Sequence, residues 1–67
     1  SKQGEIALII IRIYKAIYNL NGGDTKWMHH FLNSPNLLTS GIPIEQLESM
    51  SGLQSVLTTV ESLQRNV

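Results

Sequence analysis

The chain has 67 residues and a mass of 7.5 kDa, which is room for one small domain over 1–67 and no second. Five Lys/Arg balance five Asp/Glu, so the net charge is zero, whereas a chain that grips nucleic acid by itself needs a clustered excess of cations. Charged residues at 15% and hydrophobic ones at 42% exclude a disordered polar tail, and the absence of cysteine excludes disulfides, thiolate metal sites and cysteine nucleophiles.

The apolar run from Ile6 to Ile11 is too short to span a bilayer, and Arg12 and Lys15 interrupt its extension. It also lacks the small-residue cleavage site of a signal peptide. A soluble, cytoplasmic protein with no membrane contact is expected. The first residue is Ser1 rather than Met, which leaves room for a region upstream. A domain this short, without staples, buries a modest core and tends to lean on a partner or on its own copies.

Periodicity predicts a first helix from about Glu5 to Leu20, stopped by Asn21-Gly22-Gly23. Ile6, Ile9, Ile10, Ile13, Ile17 and Leu20 share one face, and Ala7, Ile11, Tyr14 and Tyr18 form a second apolar stripe beside it. Glu5, Arg12, Lys15 and Asn19 make the only coherent polar face, with Leu8 set into it. A strand would segregate these residues less well, although Ile9-Ile10-Ile11 has high β propensity. A helix apolar over most of its circumference is buried on several sides, and three further short helices can scarcely cover it. The second stripe is therefore the candidate for self-association in a homo-oligomer.

Asp24 or Thr25 caps a second helix, whose apolar face is Trp27, Met28, Phe31 and Leu32. Pro35 forces it to stop at or before Ser34. After a loop through Asn36 to Gly41, Pro43 fits the first position of a short third helix, with Glu45 near its positive end and Ile44 and Leu47 facing inward. Ser51 and Gln54 have the spacing of a capping box for the last helix, whose stripe is Leu53, Val56, Leu57, Val60 and Leu63. The expected fold is all-α, a single compact bundle of four helices.

No catalytic or metal set assembles from these residues. His29 and His30 are neighbours that point about 100° apart on a helix, with no further ligand at chelating spacing. Glu45 and Glu48 read as a solvated helix face, and no serine or threonine has a base in a recognisable motif. Gly22-Gly23 lacks the strand, lysine and further glycines of a phosphate loop. Trp27 reads as core by its spacing and as an interface anchor by its type.

A connected pattern runs through the chain. Arg12-Ile13-Tyr14 precedes Trp27, Ser34-Pro35-Asn36 closes the second helix, Gly41-Ile42-Pro43-Ile44 opens the third, and Gly52 with Leu53 and Val56 opens the fourth. In this order it resembles the toxin-binding domain of bacterial Xre/MbcA/ParS-type antitoxins, over roughly Arg12 to Leu63. Ser40-Gly41 stands where that family usually has Gly-Gly, and Ile42 where it commonly has a capping threonine or serine. The resemblance implies an antitoxin module of a type II toxin–antitoxin pair that does no chemistry and needs no cofactor. Its partner would be a RES-domain toxin, a class resembling ADP-ribosyltransferases that consumes NAD or transfers from it, and the antitoxin would cover the NAD cleft with its C-terminal end.

On that reading Arg65, Asn66 and Val67 are the tail contacts, and Ser55, Thr59 and Ser62 line the adjacent polar face of the last helix. Many such antitoxins carry an N-terminal helix-turn-helix region, so DNA contact would come from a region ahead of Ser1 and not from this segment. Pro35, Asn36, Gly41, Pro43 and Gly52 are assigned to the fold. The alternative from another class is an oligomerisation domain of a bacterial transcriptional regulator.

Overall fold

Ser1 starts the first helix, its Oγ accepting a hydrogen bond from the Gly4 N–H at 3.2 Å. In this computed structural model, which describes residues 1–66, α1 runs over Lys2–Leu20 and so begins ahead of the expected Glu5. Lys2 and Gln3 are polar and Gly4 has no side chain, so the isoleucine pattern does not reach them, and the serine cap is what includes them. At the other end Gly22 is left-handed at φ 60°, and the Gly23 N–H reaches back to the Tyr18 carbonyl at 2.9 Å, the outer bond of a Schellman closure.

Asp24 caps α2 (Thr25–Asn33), its Oδ1 accepting from the N–H groups of Lys26 and Trp27. Ser34 is extended, as the following proline requires, and the chain turns into α3 (Pro43–Gln46) with Pro43 at the first position. Ile42 stands at the cap position without a side-chain bond and is half-buried. Ile44 does not face inward as expected. α3 is barely one turn, and it is Pro43 that is buried there, which leaves Ile44 44% exposed.

The last helix, α4 (Met50–Arg65), is capped by Ser49 and not by the anticipated pair Ser51 and Gln54. Ser49 Oγ accepts from the Gly52 N–H at 3.0 Å, and Ser51 lies inside the first turn. A Cβ on Gly52 would sit 2.0 Å from the Gln46 carbonyl oxygen, so the α3–α4 corner closes only around a glycine at this helical position.

α1 and α4 make the main contact of the fold, α3 packs on α4, and α2 packs on α3. One core results, formed by Ile9, Ile13, Ala16 and Ile17 of α1, Met28 and Phe31 of α2, and Leu53, Val56, Leu57 and Val60 of α4. Ile6, Trp27, Leu32 and Leu47 pack against its edge, and Trp27 stacks on Phe31 with centroids 5.4 Å apart. Ile10 was expected on the inner face, yet it is 47% exposed because it lies on the flank of the stripe defined by Ile9, Ile13 and Ile17. On the solvent side Arg12 clamps α1 to α4, its Nε and Nη2 donating to the two Glu61 carboxylate oxygens at 2.9 and 2.6 Å. The architecture is all-α, four helices in one globule, and among the described residues no helix is long and apolar enough to cross a membrane.

Candidate partner-binding site

Two surfaces hold the candidate residues, and they are built differently. The first begins with the loop that joins α2 to α3. Asn36 and Gly41 pair across it, with N–H to carbonyl distances of 2.9 and 3.2 Å. Asn36 Oδ1 accepts from the N–H groups of Leu38 at 2.8 Å and Thr39 at 3.2 Å, an Asx-type closure. Ser40 takes the left-handed conformation at φ 64°, which returns the chain to Gly41. Thr39 is only 1% exposed, its hydroxyl within reach of the Gly41 carbonyl at 3.2 Å and the Asn36 carbonyl at 3.4 Å. The Gln46 side-chain amide donates to the Thr39 carbonyl, and its Oε1 is buried with no hydrogen-bond partner among the described residues.

This polar scaffold holds two leucines out of the core. Leu37 is 99% exposed at the tip, and Leu38 is exposed beside it. Leu38 meets α4 through the Thr59 hydroxyl, which lies 3.4 Å from the Leu38 carbonyl. Leu38, Thr58, Thr59, Ser62 and Leu63 together line a shallow cleft. From sequence alone Leu37 and Leu38 are simply loop residues. The available signal was two leucines inside a turn whose remaining residues, Asn36, Thr39, Ser40 and Gly41, are turn formers.

Of the residues expected to contact a partner, Thr59 and Ser62 are brought together in this cleft. Ser55, Thr59, Ser62 and Asn66 recur at helical spacing and run along one line of α4. Ser55 is exposed one turn before the cleft. Asn66 caps the helix, its side-chain amide donating to the Ser62 carbonyl at 2.8 Å. Arg65 stands roughly 90° to one side of that line, toward Glu61. Hydrogen bonding from Arg12 foremost, and with it the charges of Arg12 and Arg65, holds the Glu61 carboxyl below its usual value of 4.5, while partial desolvation opposes them. Val67 lies outside the described residues.

The second surface is the outer face of α1, where Ala7, Ile11, Tyr14 and Tyr18 are all exposed. Leu8 and Ile10 flank them and are exposed as well. The two tyrosine rings lie 6.0 Å apart at 40°, and the Tyr18 ring covers Gly23, where a Cβ would come within 2.7 Å of it. His29 and His30 are both exposed, and among the described residues no three His, Cys, Asp or Glu side chains gather at a spacing suited to a metal. No protein-family profile, curated protein or solved structure matches this chain.

Proposed function

We propose that this chain is a non-enzymatic binding module of the antitoxin type. It would neutralise a RES-domain, NAD-consuming toxin by laying the C-terminal half of α4 and the Leu37–Leu38 tip against the toxin's cleft. The observation that supports this reading most is the division of labour among the residues that carry the family resemblance. Asn36, Gly41, Pro43 and Gly52 are occupied in shaping the α2–α4 connection. What that connection presents is an apolar tip beside a polar helix line. An exposed aliphatic centre with a polar border is the usual anatomy of a specific protein interface.

The arrangement suits occlusion rather than catalysis. Leu37 and Leu38 supply apolar area, Thr59, Ser62 and Asn66 supply hydrogen-bonding groups, and Arg65 supplies a cation for an anionic-substrate cleft. The α1 face lies on a different helix and serves self-association, so one assembly can hold copies together and keep the α4 end free. The regulator-module reading draws its support from that same α1 face.

The test is a pull-down of the full-length protein from its own cells, with the retained partner identified by mass, followed by an assay of that partner's NAD consumption. Addition of the chain should stop NAD loss. Arg65→Ala, or removal of 65–67, should weaken inhibition by about tenfold or more, as loss of a charge-assisted contact does, with helicity unchanged. Full inhibition by both variants would remove the tail from the interface.

A further inference from the structure

The outer face of α1 is more than a collection of exposed apolar residues. Gly4, Ala7, Ile11, Tyr14 and Tyr18 recur in alternating steps of three and four, the spacing of a coiled-coil seam. A seam of this kind matches a second helix, whose side chains can interlock with it. We infer that α1 pairs with α1 of a second copy in antiparallel orientation, with Ala7 facing the partner's Tyr18 and Ile11 facing the partner's Tyr14. This deepens the self-association part of the reading above and requires nothing of the toxin.

Side-chain size selects the orientation. The seam runs from small, at Gly4 and Ala7, to large, at Tyr14 and Tyr18. Antiparallel pairing sets a small residue against a large one at both ends and a medium one against a ring in the middle, so the gap between helix axes stays even. Parallel pairing would stack tyrosine on tyrosine at one end and leave a void between alanines at the other, which costs packing at both.

Charge agrees with size. Leu8 and Lys15 occupy one flank of the seam, and in the antiparallel register the aliphatic stem of Lys15 lies along the partner's Leu8, away from the partner's Lys15. Arg12 is already engaged by Glu61 and adds no free cation to the flank. The helix dipoles run in opposite directions, so each positive end lies near a negative one.

Area sets the strength. The chain exposes 4618 Å², whereas a compact monomer of this mass presents about 4,200 Å². One helix face still buries less than the roughly 800 Å² per partner of a standard interface. The dimer is therefore expected to be concentration-dependent and not obligate.

The chain has no cysteine, so single-cysteine variants report the geometry without background. Ile11 and Tyr14 are exposed, which keeps their replacement from disturbing the core. Ile11→Cys and Tyr14→Cys proteins are mixed in equal amounts and oxidised gently, and the disulfide species are counted by mass. The mixed 11–14 species should greatly exceed the half share that random pairing gives. Dominance of 11–11 and 14–14 species would show a parallel pair and overturn the inference. In parallel, sedimentation of the cysteine-free chain up to millimolar concentration should show a dimer that Ile11→Glu weakens at least tenfold, with unchanged circular dichroism. A monomer at every concentration would mean that something other than a second copy covers α1, which also overturns the inference. Neither assay involves the toxin. A dimer that fails to stop NAD consumption would overturn the proposed function alone.

Discussion

The α2–α3 loop and the outer face of α1 both display apolar side chains to solvent, and they do so for opposite reasons. In the loop, nearly every polar group is committed. Asn36 accepts two backbone N–H groups, Thr39 is buried, Gln46 reaches back to the turn, and the large apolar side chains left exposed are Leu37 and Leu38. On α1 the outer stripe has little internal role beyond the Tyr18 ring over Gly23, because the helix has two apolar stripes and the core needs only one of them. Exposure that is built by a scaffold breaks when the scaffold is changed. Exposure that is left over from a helix pattern can be altered without cost to the fold.

Several substitutions separate the two cases. Gly52→Ala should have the largest effect, since its Cβ meets the Gln46 backbone oxygen at 2.0 Å. Overlap of this kind costs about 3 kcal/mol or more, close to the whole stability of an unstapled domain this size. Thermal melting followed by circular dichroism should show a largely unfolded protein at 25 °C. A melting temperature close to that of the parent chain would mean that the α3–α4 corner has room to relax.

Asn36→Ala should follow, because it leaves the Leu38 and Thr39 N–H groups without their acceptor. The expected loss is about 1–2 kcal/mol by urea titration, the cost of unmade hydrogen bonds in a partly buried turn. Leu37→Ala in the same loop should leave stability within about 0.5 kcal/mol. The contrast between the two positions measures scaffold against display.

On α1 the same comparison fits in one helix. Ile17 is 1% exposed and Ile11 is 51% exposed. Ile17→Val should cost about 1 kcal/mol. Ile11→Val, measured at a concentration where the chain is monomeric, should change stability by less than about 0.5 kcal/mol. Equal costs at the two positions would mean that the outer stripe is packed in the isolated domain.

The smallest effect belongs to the Arg12–Glu61 clamp, which is largely solvent-exposed and weakened by salt. Glu61 titrates below its usual 4.5 in the folded chain, so its contribution is present at neutral pH and lost as pH falls through its folded value. The melting temperature should drop slightly below about pH 4.5, and Glu61→Gln should remove that slope. A slope unchanged in the variant would assign the acid sensitivity to other carboxylates.

These contrasts also show what a sequence reveals. Helix cores were legible because Ile9, Ile13 and Ile17, and Leu53, Val56, Leu57 and Val60, repeat at helical spacing, and periodicity reports burial directly. The second α1 stripe was legible for the same reason. Helix starts were less so. Ser49 and Ser51 are equally good caps in isolation, and in the folded chain it is Ser49 that takes the Gly52 N–H while Ser51 lies in the first turn. The inward assignment of Ile44 failed because one turn of helix has too little face to define a period. Glu61 meets Arg12 across 49 residues, a pairing that no local signal carries. The loop's Asx closure is spelled by Asn36 and its neighbours, but the exposure of Leu37 depends on where α3 and α4 hold that loop.

The central claim is that two separate surfaces do separate work, α1 for self-association and the α4 end with its leucine tip for the toxin. Its most direct test is the mass of the complex formed with the RES-domain protein, measured by native mass spectrometry for the parent chain and for Ile11→Glu. The account predicts that both chains bind the toxin and that, at a concentration where the parent chain is dimeric, the variant's complex contains one copy of the chain where the parent's contains two. Loss of toxin binding in Ile11→Glu, with its helicity intact, would place the toxin on α1 and contradict the account.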